Sequence, residues 1–571
     1  MTTLDKQIND SKSLLETHIN QQENELCNIF LEDNQPTPVS FKKSHVQIQD
    51  SLSSAVEKAL PLLCRESDGD ILEGNKPLKI RNKKVAVLFS GGPAAGGHNV
   101  VAGIKKALGE NNTLYGVQSG PKGLIQGDLK ELTDIDIQPV INQGGFDLLG
   151  SDRTKIKTEE QYQAVERTVK KFNLDGIIII GGDDSNTNAA LLAERLYKTK
   201  CKVIGVPKTI DGDLQVGSLL PISFGFDTAT KIYSELVGNI LQDTPSSQKY
   251  WHFVKLMGRS ASHVTLEVAL QTRPHITLIS EEIQEKRISL EQLATDIALR
   301  IGYRAGKAMP YGVLLLPEGV IEFIPDLKDL IHLLNDLVAK SPSLNPKTVL
   351  EHLSESEEKV WSLLPLSIQH QLLGERDSHG NLQVSQIPTE ELIMAITNSK
   401  IKEMQLKPEQ YFSKGEFKLK SHEQSLFQSF SLKTNAHFFG YEGRCGAPSR
   451  FDAEYTYNLG FTAGSLVLDE MTGYIAAIKD IDKGGTPIAI PLSYLIQEER
   501  RSGTSVLVIE KALVQLHSPA FKYFEQNRDQ WSKENLFWSP GPRQFDGPCA
   551  NQLPLTVALN QDYEGLDFKL G

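Results

Sequence analysis

The stretch from Gly176 to Asp213 constrains the fold of this chain more than any other. Gly176-Ile177-Ile178-Ile179-Ile180 reads as a buried strand and delivers directly into the polar, glycine-bearing turn Gly181-Gly182-Asp183-Asp184-Ser185-Asn186. A helical run follows from Thr187 to Thr199, and a second strand, Lys202 to Val206, ends in Pro207-Lys208-Thr209-Ile210-Asp211-Gly212-Asp213. Strand, helix and strand in such quick succession predict neighbours in one parallel sheet, with both strand ends on the same edge. That edge then carries four carboxylates, a lysine and several backbone N–H groups, and it is where open α/β sheets bind ligands. Glycines let a phosphate approach the backbone, helix N-termini favour anions, and a carboxylate beside a phosphate calls for a divalent cation between them. The predicted chemistry is Mg²⁺-assisted phosphoryl transfer.

Other segments extend the pattern. The strand Val85-Ala86-Val87-Leu88-Phe89 leads into Ser90-Gly91-Gly92-Pro93-Ala94-Ala95-Gly96-Gly97-His98-Asn99 and a helix to about Leu108. This loop is a phosphate-cradle candidate but not a Walker A loop, since His98 and Asn99 stand where Lys and Ser or Thr are needed. A further glycine-rich turn, Asn142 to Arg153, puts the Arg153 guanidinium just past it, where it can hold a phosphate or diphosphate group or pair with a surface carboxylate, and Thr158 with Gln161 forms a capping box for a helix to Phe172. Beyond the central stretch, further strand and helix units run from Pro221 to Gly319, including Phe253 to Leu256 followed by Met257-Gly258-Arg259, a helix opened by Ser289 and Gln292, and Gly312 to Leu316 before Pro317-Glu318-Gly319.

Residues 1–80 look polar and mostly helical, a terminal extension. We expect a first α/β domain over 81–248 and a second over 249–500, the latter interrupted at about 326–432 by a mostly helical insertion, with a C-terminal extension over 501–571. The fold class is α/β, two doubly wound Rossmann-like domains. The aromatic residues between Phe521 and Trp538 are expected to be packing anchors.

Composition excludes several functions. A formal net charge of −12 and the lack of a basic stretch interleaved with aromatics argue against nucleic acid. Five scattered cysteines without a CxxC pair predict neither a disulfide framework nor structural zinc. No apolar run is long enough to span a membrane and no signal-peptide pattern opens the chain, so a cytoplasmic protein is expected.

Phosphoryl transfer needs charge neutralisation, in-line placement and a base for the accepting hydroxyl. Asp183 is the candidate for Mg²⁺, Asp211 for the base, Asp213 for orienting the loop or assisting the metal, and Lys208 and Arg259 for neutralising phosphates. Any one of these aspartates alone suits a turn or a helix cap equally well. Two such clusters at successive strand ends, joined by one helix, favour chemistry.

At these residues the sequence resembles the phosphofructokinase family, and within it the long-type pyrophosphate-dependent fructose-6-phosphate 1-phosphotransferases, over roughly residues 80–500. The most specific motifs are Gly181-Gly182-Asp183-Asp184-Ser185 and Pro207-Lys208-Thr209-Ile210-Asp211-Gly212-Asp213. ATP-dependent members typically carry glycine at the positions of Asp184 and Lys208. A carboxylate at Asp184 repels the α-phosphate of ATP, a group that diphosphate lacks.

The resemblance implies Asp211 as proton acceptor from the sugar C1 hydroxyl, Asp183 as Mg²⁺ ligand, and Gly91 and Gly92 lining the diphosphate site. It implies sugar-phosphate contacts from Thr209, Ile210, Asp211, Met257, Gly258, Arg259, Glu318, Tyr441, Glu442, Gly443 and Arg444. Lys249 and Tyr250 match positions that reach a neighbouring subunit's site, which implies a homodimer or higher homo-oligomer with shared active sites. Relatives usually have a polar residue at the position of Pro93 and proline at that of Ala95, which leaves the shape of the first glycine loop open. The implied reaction is diphosphate with D-fructose 6-phosphate giving phosphate and D-fructose 1,6-bisphosphate, reversibly, in glycolysis. An ATP-dependent 6-phosphofructokinase, a non-catalytic regulatory subunit and a sensor without turnover are the alternatives.

Overall fold

The computed structural model describes residues 12–48, 52–79, 82–341, 344–374, 387–501 and 504–568. The chain forms two compact units, the first built from Met1–Ala229, Tyr441–Ala512 and Arg543–Gly571, the second from Thr230–Gly440 and Leu513–Pro542. The sequence reading ran the second domain on to residue 500, whereas the chain returns to the first unit at Tyr441.

The first unit holds a large mixed sheet with a parallel centre. In spatial order its parallel strands are Tyr474–Lys479, Lys202–Thr209, Gly176–Gly181, Lys84–Ser90 and Thr113–Val117. Isoleucines 177 to 180 are buried on both faces of the sheet, as a central parallel strand requires. The register pairs Pro207 with Gly181 and Phe89 with Ile180, so the three central strands end together on one edge. The expected strand Lys202 to Val206 runs on to Thr209, which brings Lys208 into the sheet itself.

The helix after the first strand covers Gly97–Leu108 and crosses the helix Arg450–Leu468 at backbone distance. A Cβ added to Gly460 would lie 2.0 Å from the Val100 carbonyl oxygen, and one added to Gly103 would lie 2.0 Å from that of Tyr457. Only glycine permits so close a crossing. The capping box at Thr158 and Gln161 opens the helix Glu159–Phe172 as expected.

The N-terminal segment is a correction. It is not mostly helical: Val39–Gln47 and Asp70–Pro77 are strands that extend the large sheet through antiparallel pairing with Thr486–Pro491. Val39 and Phe41 point inward with Ser40 between them, a period-2 signal obscured by the polar residues that follow. Residues 1–11 lie outside the described residues.

The second unit carries a four-stranded parallel sheet in the order Ile276–Thr277, Gly312–Pro317, Trp251–Leu256, Thr434–Phe439. The strand Ile276–Thr277 is only two residues long, and the helix Ser280–Glu285 follows almost at once. After the strand Trp251–Leu256 the next helix begins at His263, beyond Met257-Gly258-Arg259. The segment after Asp326 is helical, with Pro325–Lys340, Glu355–Leu363, Leu366–Leu372, Thr389–Leu406 and Ser421–Gln428 packing around Trp361, Phe412 and Phe427. Of the aromatic residues expected to be packing anchors, Phe521, Phe524 and Trp531, on the helix Pro519–Lys533, are buried, whereas Tyr523 and Trp538 are exposed.

Candidate active site

The strand ends of the first unit build the site. Gly181 closes its strand, Gly182 caps a helix that starts at Asp183, and so Asp183 and Asp184 lie in the first turn of Asp183–Leu196 rather than in a preceding turn. The Asn186 side-chain amide donates to the Gly181 and Gly182 carbonyls at 2.6 and 2.9 Å and locks this corner. Both carboxylates thereby sit at the positive end of a helix, where a negative charge is favoured.

Asp184 is ion-paired with Lys155 at 2.8 Å. Burial pushes the Asp183 carboxyl up from the usual carboxylate range. The Asp184 and Asp213 charges add to this, and the Lys511 ammonium and the Asp184 N–H oppose it.

Lys208 is buried at the end of the adjacent strand. Burial lowers its ammonium to about 8, with Arg444 acting in the same direction and Asp211, Asp183 and Asp213 against it. It faces the first glycine loop: a Cβ on Gly91, whose φ is +87°, would lie 3.7 Å from the Lys208 ammonium. A Cβ on Gly92 would lie 3.6 Å from an Arg153 guanidinium nitrogen and 3.7 Å from the Arg444 guanidinium carbon. Three cations therefore surround two adjacent glycines, an arrangement shaped for a small polyanion. Thr209 shapes the following turn, its hydroxyl donating to Asp213 at 3.2 Å and accepting from the Asp211 N–H at 3.1 Å. Ile210 is buried there.

Arg444 closes the short helix Tyr441–Arg444, and its guanidinium lies 4.8 Å from the ring of the exposed Tyr441; Glu442 is exposed and Gly443 buried beside them. Sequence reasoning placed Arg444 with the sugar phosphate, and the structure puts it at the same glycines as Arg153. In the first glycine loop His98 and Asn99 are buried and structural. The Asn99 amide donates to the Asn142 side chain and the Ala453 carbonyl, and burial lowers the His98 imidazole from its ordinary range, with Asp147 opposing the shift.

The remaining candidates belong to the second unit. The Gly258 N–H donates to Glu318 at 3.4 Å, with φ +131° at Gly258, so these two form one corner at parallel strand ends. Met257 is half-buried beside Gly440, and Arg259 is exposed next to Gly319, its charge felt by Glu322. Lys249 and Tyr250 are exposed just before the strand Trp251–Leu256.

Two features escaped the sequence reading. Lys511, in the C-terminal tail, stands 3.3 Å from Asp213 and 3.9 Å from Asp183. Burial works against its charge, but Asp213, Asp183 and Asp211 outweigh burial and hold the ammonium above its ordinary range. Its only sequence signal was a lysine just past the apolar run Val506 to Ile509. The second is Asp452, on the helix Arg450–Leu468. It accepts from the N–H groups of Gly225 and Thr228 at 3.0 and 2.8 Å and so fixes the turn that pairs with Thr209. Burial, reinforced by the neighbouring Asp227, lifts its carboxyl to about 7.

Among the described residues no cluster of three or more His, Cys, Asp or Glu forms an all-protein metal cage. Mg²⁺ needs only one or two carboxylates completed by water and substrate phosphates. Asp183 and Asp213 are hard oxygen donors that already face one cation, so the donor set fits. All five cysteines are free thiols. Among the described residues no helix is long and apolar enough to cross a membrane.

These features define a phosphate-handling α/β protein with a cation-lined glycine corner. Residues 84–357 match the family model for phosphofructokinase. The chain is 45% identical over 488 residues to the pyrophosphate–fructose 6-phosphate 1-phosphotransferase subunit beta of Solanum tuberosum, spanning 83% of this chain and 82% of the relative. It is 43% identical to the pyrophosphate–fructose 6-phosphate 1-phosphotransferase of Treponema pallidum, with 86% of each chain covered. The pyrophosphate-dependent phosphofructokinase of Nitrosospira multiformis shares the fold at a TM-score of 0.50 and 16% identity, over 84% of this chain and 97% of that one. The chain belongs to the pyrophosphate-dependent phosphofructokinase family, of the long type.

Proposed function

We propose that this chain transfers a phosphoryl group from inorganic diphosphate to the C1 hydroxyl of D-fructose 6-phosphate, giving phosphate and D-fructose 1,6-bisphosphate in a reversible, glycolytic step. The observation that carries this reading is the corner at Gly91 and Gly92, where Lys208, Arg153 and Arg444 converge while Asp184 stands in the first turn of the adjacent helix. Three cations match the charge of diphosphate, and the Asp184 carboxylate disfavours the further phosphate that a nucleotide would bring.

Asp211 takes the proton of the attacking hydroxyl. Lys208, with Arg153, neutralises the diphosphate, and Asp213 orients the loop through its hydrogen bond from Thr209. Lys208 and Asp184 together select the donor. The sugar-phosphate candidates are Thr209, Ile210, Asp211, Tyr441, Glu442, Gly443 and Arg444 of the first unit and Lys249, Tyr250, Met257, Gly258, Arg259 and Glu318 of the second. Arg444 lies near enough to Gly92 to serve the transferring phosphoryl group as well. Asp183, with Asp213 beside it, would hold Mg²⁺, which supplies charge neutralisation of the phosphate oxygens. We assign two doubly wound Rossmann-like domains, a homodimer or higher homo-oligomer sharing its sites, and a place in the cytoplasm.

The test is a coupled assay with purified protein, Mg²⁺ and fructose 6-phosphate, supplied with diphosphate in one series and ATP in the other. Turnover with diphosphate alone is expected. Turnover with ATP alone would overturn the donor assignment, and silence in both would bring forward a non-catalytic subunit.

A further inference from the structure

Lys511 lies beyond the residues matched by the phosphofructokinase model, yet it is fixed in place by the same elements that carry the site. Two residues before it, the Ile509 N–H donates to the Thr187 hydroxyl at 3.0 Å, and that hydroxyl donates to the Asp183 carbonyl at 2.9 Å. One residue after it, the Ala512 N–H donates to the Asp213 carbonyl at 2.8 Å. Ile509 is buried in the core that also holds Ala189, Ala190 and Ala193 of the helix Asp183–Leu196. The backbone on both sides of Lys511 is thus tied to the two residues whose carboxylates its ammonium faces, directly to Asp213 and through the Thr187 hydroxyl to Asp183. The position is built into the fold.

Asp183 and Asp213 are the carboxylates read above as the metal-holding pair, so this inference rests on that reading. An ammonium cannot share their oxygens with a divalent cation at no cost, because two cations at about 4 Å repel strongly in a partly buried site. We propose that Lys511 is the tethered counter-ion of the metal-free site. It neutralises Asp183 and Asp213 until a divalent cation displaces it, and it thereby keeps the affinity for free metal low. The metal then enters together with diphosphate, whose negative charge compensates the ammonium that has lost its carboxylates. Lys511 is in these terms a positioning residue that couples metal binding to donor binding.

The bland account is an ion pair that fastens the tail to the sheet, and metal binding separates the two. Mn²⁺ is titrated into the full-length protein without diphosphate and followed by electron paramagnetic resonance, for wild type, Lys511→Met and Lys511→Arg. Removal of the competing charge is expected to tighten Mn²⁺ binding about tenfold or more in Lys511→Met. Lys511→Arg is expected to stay within about threefold of wild type, since the charge remains. With methylenediphosphonate present, Lys511→Met is expected to lose this advantage over wild type. Unchanged or weaker Mn²⁺ binding in Lys511→Met overturns the proposal.

A second measurement needs no variant. Acylation of Lys511 in the wild type, read by mass spectrometry, should speed up when Mg²⁺ is added, because the ammonium leaves its carboxylates, and an unchanged rate overturns the proposal. Diphosphate turnover by the same wild-type preparation keeps the two readings apart. An active enzyme with unaltered metal binding in Lys511→Met refutes this inference alone, whereas an inactive enzyme refutes the functional assignment on which it rests.

Discussion

Lys208 is held charged where burial opposes charge, and its replacement by methionine should therefore stabilise the protein. The side chain lies at the end of the strand Lys202–Thr209, and its ammonium is lowered from 10.5 to about 8 by burial, despite three nearby carboxylates. At 1.36 kcal/mol per pH unit, the charged form costs about 3 kcal/mol relative to the same group in the unfolded chain. A lowered lysine means that the unfolded chain binds more protons than the folded one between about 8 and 10.5. Stability of the wild type must then rise with pH across that window. Below pH 8 the full cost applies, above it the cost shrinks by ~1.4 kcal/mol per pH unit, and near pH 10.5 it is gone.

Methionine has similar length and no charge. Lys208→Met should gain about 3 kcal/mol at pH 7, and the gain should vanish as the pH approaches 10.5. An unfolding entropy of ~1.2 kcal/mol/K for 571 residues turns this into a rise in Tm of ~2–3 °C at pH 7. The assay is differential scanning calorimetry of both proteins at pH 7, 8.5 and 10, with diphosphate turnover measured alongside, which the variant should lose. A lower Tm at pH 7, or a difference independent of pH, refutes the reasoning.

Three other substitutions probe separate parts of the site and its support. Asp211→Asn should lower turnover at least ~100-fold through loss of the base while leaving the circular dichroism spectrum and Tm unchanged, and near-normal turnover would remove Asp211 from its role. Gly92→Ala adds a Cβ at ordinary contact distance, 3.6 Å from Arg153 and 3.7 Å from Arg444. The fold should tolerate it, but the KM for diphosphate should rise roughly tenfold because the methyl occupies space between the cations, about 1.4 kcal/mol of binding; an unchanged KM would place diphosphate elsewhere. Gly460→Ala sets a methyl 2.0 Å from the Val100 carbonyl and must push two helices apart, so thermal unfolding should show a loss of at least ~1–3 kcal/mol.

What the sequence disclosed followed the range of its signals. The central strands were legible because Gly176 to Ile180 and Val85 to Phe89 are short, uniformly apolar runs that deliver into glycine-bearing turns, and both capping boxes were legible because they are local patterns. The first turn of the helix at Asp183 was misplaced because Gly182, Asp183 and Asp184 resemble a loop in composition, although Gly182 is a helix cap. The N-terminal strands were hidden for another reason. Val39–Gln47 is fixed by pairing with Asp70–Pro77, and a strand decided by its partner carries little period-2 signal of its own.

The separation of the cations along the chain has a physical cause. A strand end offers alternate residues to each face, so Lys202–Thr209 can point only Lys208 toward the glycines while Pro207 and Thr209 face elsewhere. Placing more lysines on the same strand would bury like charges side by side, where even one is lowered to about 8. The additional positive charge must then come from segments with their own backbone anchors: Arg153 from the turn after Ser151–Asp152, Arg444 from a short helix, and Lys511 from the tail. Each anchor fixes its cation through backbone bonds made elsewhere, so each can approach the site without sharing one strand's desolvation. Such a site is spelled over more than three hundred residues, which is why local patterns located its carboxylates and Lys208 but not Lys511. The charges that repel one another in the empty corner are also those that a diphosphate neutralises together, so the corner that is costly to fold is the one best matched to a small polyanion.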